Sequence, residues 1–495
     1  MYSAPGVPRA AYRKIIDVLD DLGAADLRSS FEQLAATFTD RGVTFAFGGE
    51  ERPFPLDLIP RVIAAAEWEH LAAGVRQRVL ALEAFLDDVY GEGNCFSDGV
   101  MPRRLILTSQ HFRREAVGII KERGARITVS GIDVVRDESG HLCVLEDNVR
   151  IPSGVSYVIE NRRAMTQSFR SLFSRYRVHP VDEYPSRLLS ALRRAAPDEV
   201  RDPTVVVLTP GVHNAAYFEH VLLARLMGVQ LVEGSDLVVV GNNVFVRTTQ
   251  GERPVHVIYR RVDDEWIDPL HFRPESVVGV AGLVNAARAK TVTLANGIGN
   301  GVADDKLIYT YVPELIRYYL GAEPLLDNVE SYRLEDPECL GEVTSHLDRY
   351  VIKPVDGSGG KGIVIGPQSD PATLRALRKT ILANPRGFVA QRPVALSTVT
   401  TFVDDQMSPR HVDLRPFAIH DGDEVWVLPG GLTRVALGEG ALVVNSSQGG
   451  GSKDTWVLAD VERPARSVAV NVAAPLAHLE GAERQAGPPS AGANQ

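Results

Sequence analysis

The sequence predicts a mixed α/β chain with more than one domain, and three features carry that expectation. Residues 61–90 place Ile63, Trp68, Leu71, Val75, Leu80, Leu82 and Phe85 at helical spacing, with no breaker before Gly91. Residues 126–148 switch to β-type runs, ITVSGIDVV and LCVLEDN, around a turn at Asp137–Gly140, which reads as a hairpin. Residues 204–240 alternate apolar strand with helix, the pattern of an α/β unit with parallel strands.

In chain order, residues 1–120 read as a mainly helical N-terminal region. Residues 121–196 hold the hairpin, then helix from residue 162. Residues 197–300 form the α/β unit. Its first strand, Thr204–Leu208, is stopped by Pro210–Gly211, and a helix over Ala215–Leu226 leads to the second strand, Leu237–Val240. Residues 301–460 carry a helix at Tyr311–Leu320, then mainly strands from Tyr350 to Pro429, with one helix near Leu374–Leu382. Residues 461–495 are rich in Ala, Pro and Gly without periodicity, as expected of a flexible tail.

Composition narrows the function classes. A chain of 495 residues is too long for one ordinary core, and 44% hydrophobic with 23% charged residues is the balance of a folded protein. The formal net charge of −10 and the lack of a long basic run argue against a nucleic-acid partner. Cys95, Cys143 and Cys339 have no CxxC spacing, so neither a disulfide framework nor a zinc site is expected. The N-terminal MYSAPGVPRAAYRK has no apolar signal core, and no apolar run reaches membrane-spanning length. A cytoplasmic protein with no membrane association is the expectation. Cys143 lies in an apolar strand, where packing is favoured over a nucleophilic role.

The densest chemical signal is VIKPVDGSGGKGIVI, residues 351–365. Lys353 sits on a β-type run, and Gly357, Ser358, Gly359, Gly360, Lys361 and Gly362 follow before a second β-type run. Glycines let backbone N–H groups approach a ligand without Cβ interference, and a lysine adds positive charge, which is the chemistry of gripping phosphates. A dinucleotide fingerprint needs a helix directly after the glycines and an acid about twenty residues on. Here Ile363–Ile365 reads as strand. A P-loop needs Ser or Thr after its lysine, but Gly362 follows Lys361. A kinase loop has its lysine on the strand after the glycines, and here Lys353 precedes them. What survives is a strand, a glycine loop and a strand covering phosphates. Four glycines in six positions exceed what a plain hairpin turn needs.

A second constellation is Asp133, Glu146 and Asn148. Period-two alternation puts Glu146 and Asn148 on one face of their strand, and hairpin pairing can bring Asp133 beside them. Asp147 falls on the other face. Two carboxylates and an amide oxygen are hard ligands suited to Mg²⁺, which binds through a few carboxylates and substrate phosphates. Alone, the set reads equally well as a solvated acidic strand end. With a phosphate loop in the same chain, the metal reading is the better one.

These segments resemble the ATP-grasp superfamily, and specifically its circularly permuted branch. Asp305-Lys306 precedes a helix, Lys353-Pro354 and the glycine loop follow, then VAQRP around Gln391 and the Asp413-Leu-Arg415 strand. The acidic motif with Glu146-Asp-Asn148 lies upstream of all of these, the order of the permuted branch, which includes glutathionylspermidine-synthetase-like proteins. The blocks 146–162, 209–220, 259–269, 300–306 and 445–456 resemble bacterial circularly permuted ATP-grasp type 2 proteins. The resemblance implies a permuted ATP-grasp fold with an inserted α/β pre-ATP-grasp-like domain. It also implies ATP and Mg²⁺ as cofactors, with the metal on Asp133, Glu146 and Asn148. Lys306, Lys353, the 357–362 loop and Gln391 would bind nucleotide, and Arg415 would neutralise the transferring phosphoryl group. One departure stands out: the glutathionylspermidine-synthetase-like pattern has an arginine two positions before the metal Asp, and here that residue is Gly131. Arg415 or Arg150 is the candidate replacement.

The implied activity is an ADP-forming carbon–nitrogen ligase joining a small-molecule or peptide carboxylate to an amine. A phosphotransferase or a non-catalytic ATP-binding partner protein are the alternatives. Arg260, Arg150, Ser153 and Asn445 are the candidates for touching substrate. His220, on its helical stretch, reads as structural. Gly449–Gly451 reads either as a loop closing over the acceptor or as a linker.

Overall fold

The computed structural model describes residues 1–459 except 5, 22, 48–49, 121–123, 358–359, 404, 442–443 and 445–449. Ser358, Gly359, Asn445, Gly449 and the 461–495 tail therefore lie outside the described residues.

After a short strand pair at Tyr2–Ala4 and Val7–Pro8 come helices α1 (Arg13–Asp21) and α2 (Ala24–Asp40), then a second strand pair at Thr44–Phe47 and Glu50–Pro53, strand β1 (Leu56–Ile63) and the long helix α3 (Ala65–Val89). Helical spacing had extended α3 back to Arg61 and Ile63. Both belong to β1 instead, which pairs in parallel with residues 452–457, a partner invisible in local sequence. Along α3 the inward residues include Leu71, Val75, Val79 and Leu82, whereas Leu80 is exposed.

Strands β2 (Val129–Arg136) and β3 (Leu142–Asn148) form the expected antiparallel hairpin. Helix α4 (Val155–Ser168) starts well before residue 162, and α5 (Tyr184–Arg194) follows after an interruption. The α/β unit comprises β4 (Val205–Leu208), α6 (Tyr217–Met227), β5 (Gln230–Val232), β6 (Leu237–Val240), β7 (Asn243–Thr248), β8 (Gly251–Val255), β9 (Val257–Arg260) and β10 (Thr293–Ala295). Its parallel sheet runs β10-β9-β4-β5. The second strand read from sequence, Leu237–Val240, is not part of that sheet. It begins the antiparallel meander β6-β7-β8. The cause is local: Gly241 and Asn242 both have positive φ (55° and 64°), the two-residue turn that reverses a chain into a hairpin.

Next come α7 (Lys306–Tyr309), α8 (Val312–Leu320) and the short strands β11 (Asp327–Asn328) and β12 (Ser331–Arg333). A small lobe is built from β12, α9 (Pro337–Ser345), β13 (Val351–Pro354), β14 (Val364–Ile365), α10 (Pro371–Ala383) and β15 (Phe388–Gln391). Its sheet runs β12-β15-β13-β14. Leu334, Val343, Leu347, Tyr350, Ile352, Ile381 and Ala390 give it a hydrophobic cluster of its own. The chain then adds β16 (Thr398–Val403), β17 (Gln406–His420), β18 (Val425–Val435) and β19 (Gly451–Val457). The largest sheet is ordered β11-β3-β2-β17-β18-β19-β1, with β16 paired to β17. The early hairpin β2–β3 is thus inserted beside strands from the far end of the chain, and this places the site.

Candidate functional site

A cavity of about 480 Å³ opens between the large sheet and the small lobe, within the range of small-molecule sites. Asp133, Glu146 and Asn148 line it from β2 and β3, Lys353 and Gly357 from the lobe, and Lys306 from α7. In the hairpin, Asp133 stands directly opposite Glu146, and Gly131 opposite Asn148. The register slips between Asp133 and Val134, leaving Leu145 as the extra residue of a bulge. Such a bulge re-aims a strand, and Leu145 joins Glu146 on the cavity wall. Asp147 points away, as alternation predicts, and both its oxygens accept from buried Arg78 of α3 at 2.5 and 2.8 Å.

Asp133 is 2% exposed and anchors two guanidinium groups. Its carboxylate accepts from Arg415 Nε and Nη2 at 2.5 and 2.8 Å, and from Arg434 Nη2 at 2.7 Å. Burial pushes this carboxyl upward, but the two arginines outweigh it and hold the group at about 2. Arg434 also donates through Nε to both oxygens of buried Asp413 at 3.0 Å. Asp413 titrates higher than usual because burial outweighs its one strong partner, with Asp133 adding like-charge repulsion. Two arginines and two aspartates therefore form a buried, charge-balanced quartet on the cavity wall.

Gly131 explains how Arg415 reaches this place. A Cβ at position 131 would lie 3.0 Å from Arg415 Cδ, 3.3 Å from its Cγ and 3.3 Å from Pro152 Cβ. The arginine stem covers the glycine, and its Nη1 donates to Ser153 O at 3.2 Å. Arg415 thus occupies the space above the position where the glutathionylspermidine-synthetase-like pattern carries its arginine.

On the opposite wall, Lys306 Nζ pairs with Glu146 at 3.0 Å and donates to Gly357 O. The lysine ties the hairpin to the base of the glycine loop. Lys353 is 9% exposed. Burial is the main cause that brings its ammonium down to about 8; Glu146 resists the shift and Lys306 adds to it. Gly360 and Gly362 take positive φ, 76° and 74°, and Gly360 and Lys361 line the cavity. Gln391 is buried at the end of β15, with Nε2 donating to Ser331 at 3.0 Å. Val351, Ile363, Ile365 and Leu396 add an apolar slot near it, a surface onto which a flat ring can pack.

Two expected substrate residues sit elsewhere. Arg260 is wholly buried and does not line the cavity. Its guanidinium donates to Asn296 O, Val262 O and Gly297 O at 2.7–2.9 Å and pairs with Asp264 at 2.7 Å. It braces the α/β unit. Its neighbour Arg261 lines the cavity instead and donates to Pro152 O at 2.8 Å. Arg150 also lies off the cavity lining, between Asp263 at 3.2 Å and Asp304 at 3.6 Å. Burial raises Asp304 to about 7 despite Arg150 beside it. Ser153 does line the cavity, and so does His220, whose Nδ1 is 2.9 Å from Thr209 Oγ1. Burial, then Arg261, depresses this imidazole to about 2, so it is neutral at ordinary pH. In the sequence Asp413 reads only as the start of the Arg415 strand, with no role of its own, although it lies two residues from Arg415 and hence on the same strand face.

Residues 60–436 match the sequence model described as circularly permuted ATP-grasp type 2, which is most of the chain. The chain belongs to that family. An uncharacterised protein of Mycobacterium tuberculosis is 58% identical over 459 residues, covering 93% of this chain and 83% of the relative. A Frankia casuarinae protein with the provisional name glutamate–cysteine ligase 2-2 is 45% identical over 466 residues. That match covers 92% of this chain but 53% of the Frankia protein, so nearly half of the protein bearing that name has no counterpart here. Among solved structures, the apoform of a glutathione-synthetase-like effector, GSS30, from Globodera pallida superposes with a TM-score of 0.57. It covers 88% of this chain and 98% of the effector at 10% identity, a likeness of fold alone. The protein thus has the circularly permuted ATP-grasp fold, in a family that uses ATP. Among the described residues, no helix is long and apolar enough to cross a membrane.

Proposed function

We propose that the protein is an ATP-dependent carboxylate–amine ligase that forms an amide through an acyl phosphate. The observation carrying this reading is that the Asp133–Glu146–Asn148 face and the lysine–glycine-loop face line one cavity, whose wall also carries Arg415. In this reading a substrate carboxylate oxygen attacks the γ-phosphorus of ATP, and the bond to the β-phosphate oxygen breaks to release ADP. The amine nitrogen then attacks the acyl carbon, phosphate departs with the C–O electron pair, and the amine loses a proton. Phosphoryl transfer of this kind is mainly positioning and charge neutralisation. Lys306, Lys353 and the glycine loop grip the phosphates, Gln391 reads the base edge, and Arg415 faces the transferring group. Ser153 and Arg261 border the acceptor end.

The donor types suit Mg²⁺, and to coordinate it Asp133 would give up a guanidinium partner and Glu146 its Lys306 contact. Among the described residues no group of three or more His, Cys, Asp or Glu side chains is placed to hold a metal ion by itself. Mg²⁺ characteristically takes one or two carboxylates and completes its shell with water and phosphate oxygens. Asn148 lines the cavity with its Nδ2 buried and without a hydrogen-bond partner, an orphaned amide on the cavity wall. Asp133, Glu146 and Asn148 would hold the ion, which when bound supplies charge neutralisation at the phosphates. The glutamate–cysteine ligase name of the Frankia relative agrees with a ligase acting on small amino acids or peptides.

Hydroxylamine tests the proposal. The protein, ATP and Mg²⁺ are incubated with a panel of amino acids and small peptides. A hydroxamate formed with stoichiometric ADP is expected; a stable phosphoester, or ATP consumption without a trapped acyl group, would overturn it.

A further inference from the structure

The small lobe carrying Lys353 and the glycine loop is seated on a short bracket that belongs to neither the hairpin nor the lobe. Residues 104–111, running from the helix Arg103–Leu107, meet the lobe at three places. Arg104 pairs with Glu335 at 3.5 Å, and His111 approaches Asp356 at 3.9 Å. Between them, Arg386, in the turn joining α10 to β15, donates to Leu105 O at 3.1 Å and Thr108 Oγ1 at 3.2 Å. The same guanidinium donates to Asp305 Oδ2 at 2.8 Å.

Asp305 is fully buried and does three jobs. It caps α7, accepting from Leu307 N at 2.9 Å; it accepts from Ser109 Oγ at 2.9 Å; and it receives Arg386. The cap fixes the first turn of the helix whose first residue is Lys306. Arg386 follows α10 in the lobe and leads into β15, the strand paired with the one that carries Lys353. One partly buried ion pair therefore links the element bearing one cavity lysine to the sheet bearing the other. A bidentate-capable, permanently charged fork suits such a link, because it can hold a carboxylate and two further acceptors at once.

We infer that Arg386, acting on Asp305, is a positioning residue that sets the spacing between Lys306 and the Lys353–glycine-loop lobe, and so the grip on nucleotide phosphates. The inference rests on the nucleotide reading above. Arg386 does not line the cavity. Its removal alters the relation of the two lysines while leaving the apolar slot near Gln391 in place.

The test is calorimetric titration of the whole protein with ATP, ADP and AMP in Mg²⁺, for wild type, Arg386→Gln, Arg386→Lys and Ser109→Ala. The expected result is a tenfold or greater loss of ATP and ADP affinity in Arg386→Gln, with AMP affinity within twofold of wild type. Arg386→Lys recovers part of the loss. Ser109→Ala, which removes one hydrogen bond to Asp305 and no charge, shifts ATP affinity the same way by a smaller factor and guards against a Gln variant that does not fold. An equal loss for all three nucleotides marks a merely structural role and overturns the inference, as does unchanged affinity in both Arg386 variants. Wild type that binds none of the nucleotides overturns the nucleotide reading itself, and the inference with it.

Discussion

Neutralising Asp133 tests the buried quartet most directly. This carboxylate is the shared partner of Arg415 and Arg434 and is almost solvent-free. Its pKa falls from 3.8 to about 2, and each unit corresponds to about 1.4 kcal/mol between the charged and neutral forms. Asp133→Asn keeps the shape and removes the charge, so it should cost about 2 kcal/mol of stability. Asp133→Ala also removes the acceptors and leaves Arg415 without a carboxylate, while Arg434 keeps Asp413, which raises the cost to about 3–5 kcal/mol. Adding Arg415→Met to Asp133→Ala removes that stranded charge and should restore at least about 1 kcal/mol, a coupling expected only of contacting residues. Urea unfolding followed by the fluorescence of the four tryptophans gives all these values on one scale. If Asp133→Ala is as stable as wild type and shows no coupling to Arg415, the quartet is not holding the wall and the reasoning fails.

Other outcomes follow from the same geometry. Lys353, with its ammonium near 8, carries its full charge only below that pH. ATP affinity should therefore weaken as pH rises from about 7.5 to 9.5, and Lys353→Arg should flatten that dependence, measured as Kd against pH. Folding stability moves the opposite way. A lysine depressed in the folded state opposes folding while charged, so this penalty shrinks as pH rises from the folded value toward the unfolded 10.5. Gly131→Ala should push Arg415 off Asp133, since the new Cβ meets its stem at 3.0 Å. A fall in kcat of at least tenfold, with a stability loss of about 1–3 kcal/mol, is the expected signature of that overpacking. Arg260→Met should destabilise by about 3–5 kcal/mol, because it strands Asp264 and three carbonyls. A folded Arg260→Met protein of normal stability with only a raised KM would instead support substrate contact.

What could be read from the sequence was whatever depends on short range. The β2–β3 hairpin, its outward Asp147 and the strand after the glycine loop all follow from alternation within one or two strands. The family-like order of motifs then linked the glycine loop to the acidic hairpin. Sequence reading failed where the partner is remote. Ile63 looked helical because its strand neighbour is Val457. Arg260 and Arg261 are adjacent in sequence, yet one braces the α/β unit and the other reaches the cavity wall. Nothing in a one-dimensional string distinguishes them until β9 is placed in its sheet. Asp413 had no assigned role although its period-two relation to Arg415 was available, because that role depends on Arg434, the residue opposite it on β18.

The insertion of β2–β3 beside β17 also matters for how the chain is made. Asp133 and Arg415 are 282 residues apart, so at ribosomal rates of roughly 5–20 residues per second the hairpin emerges some 15–55 s before its neighbouring strand exists. During that interval the apolar edge of β2, which carries Ile132 and Val134, has no sheet to join. Synthesis of this fold should thus lean on chaperones that shield nascent strands, and slowing translation between residues 148 and 406 should lengthen the time this edge stays open to aggregation.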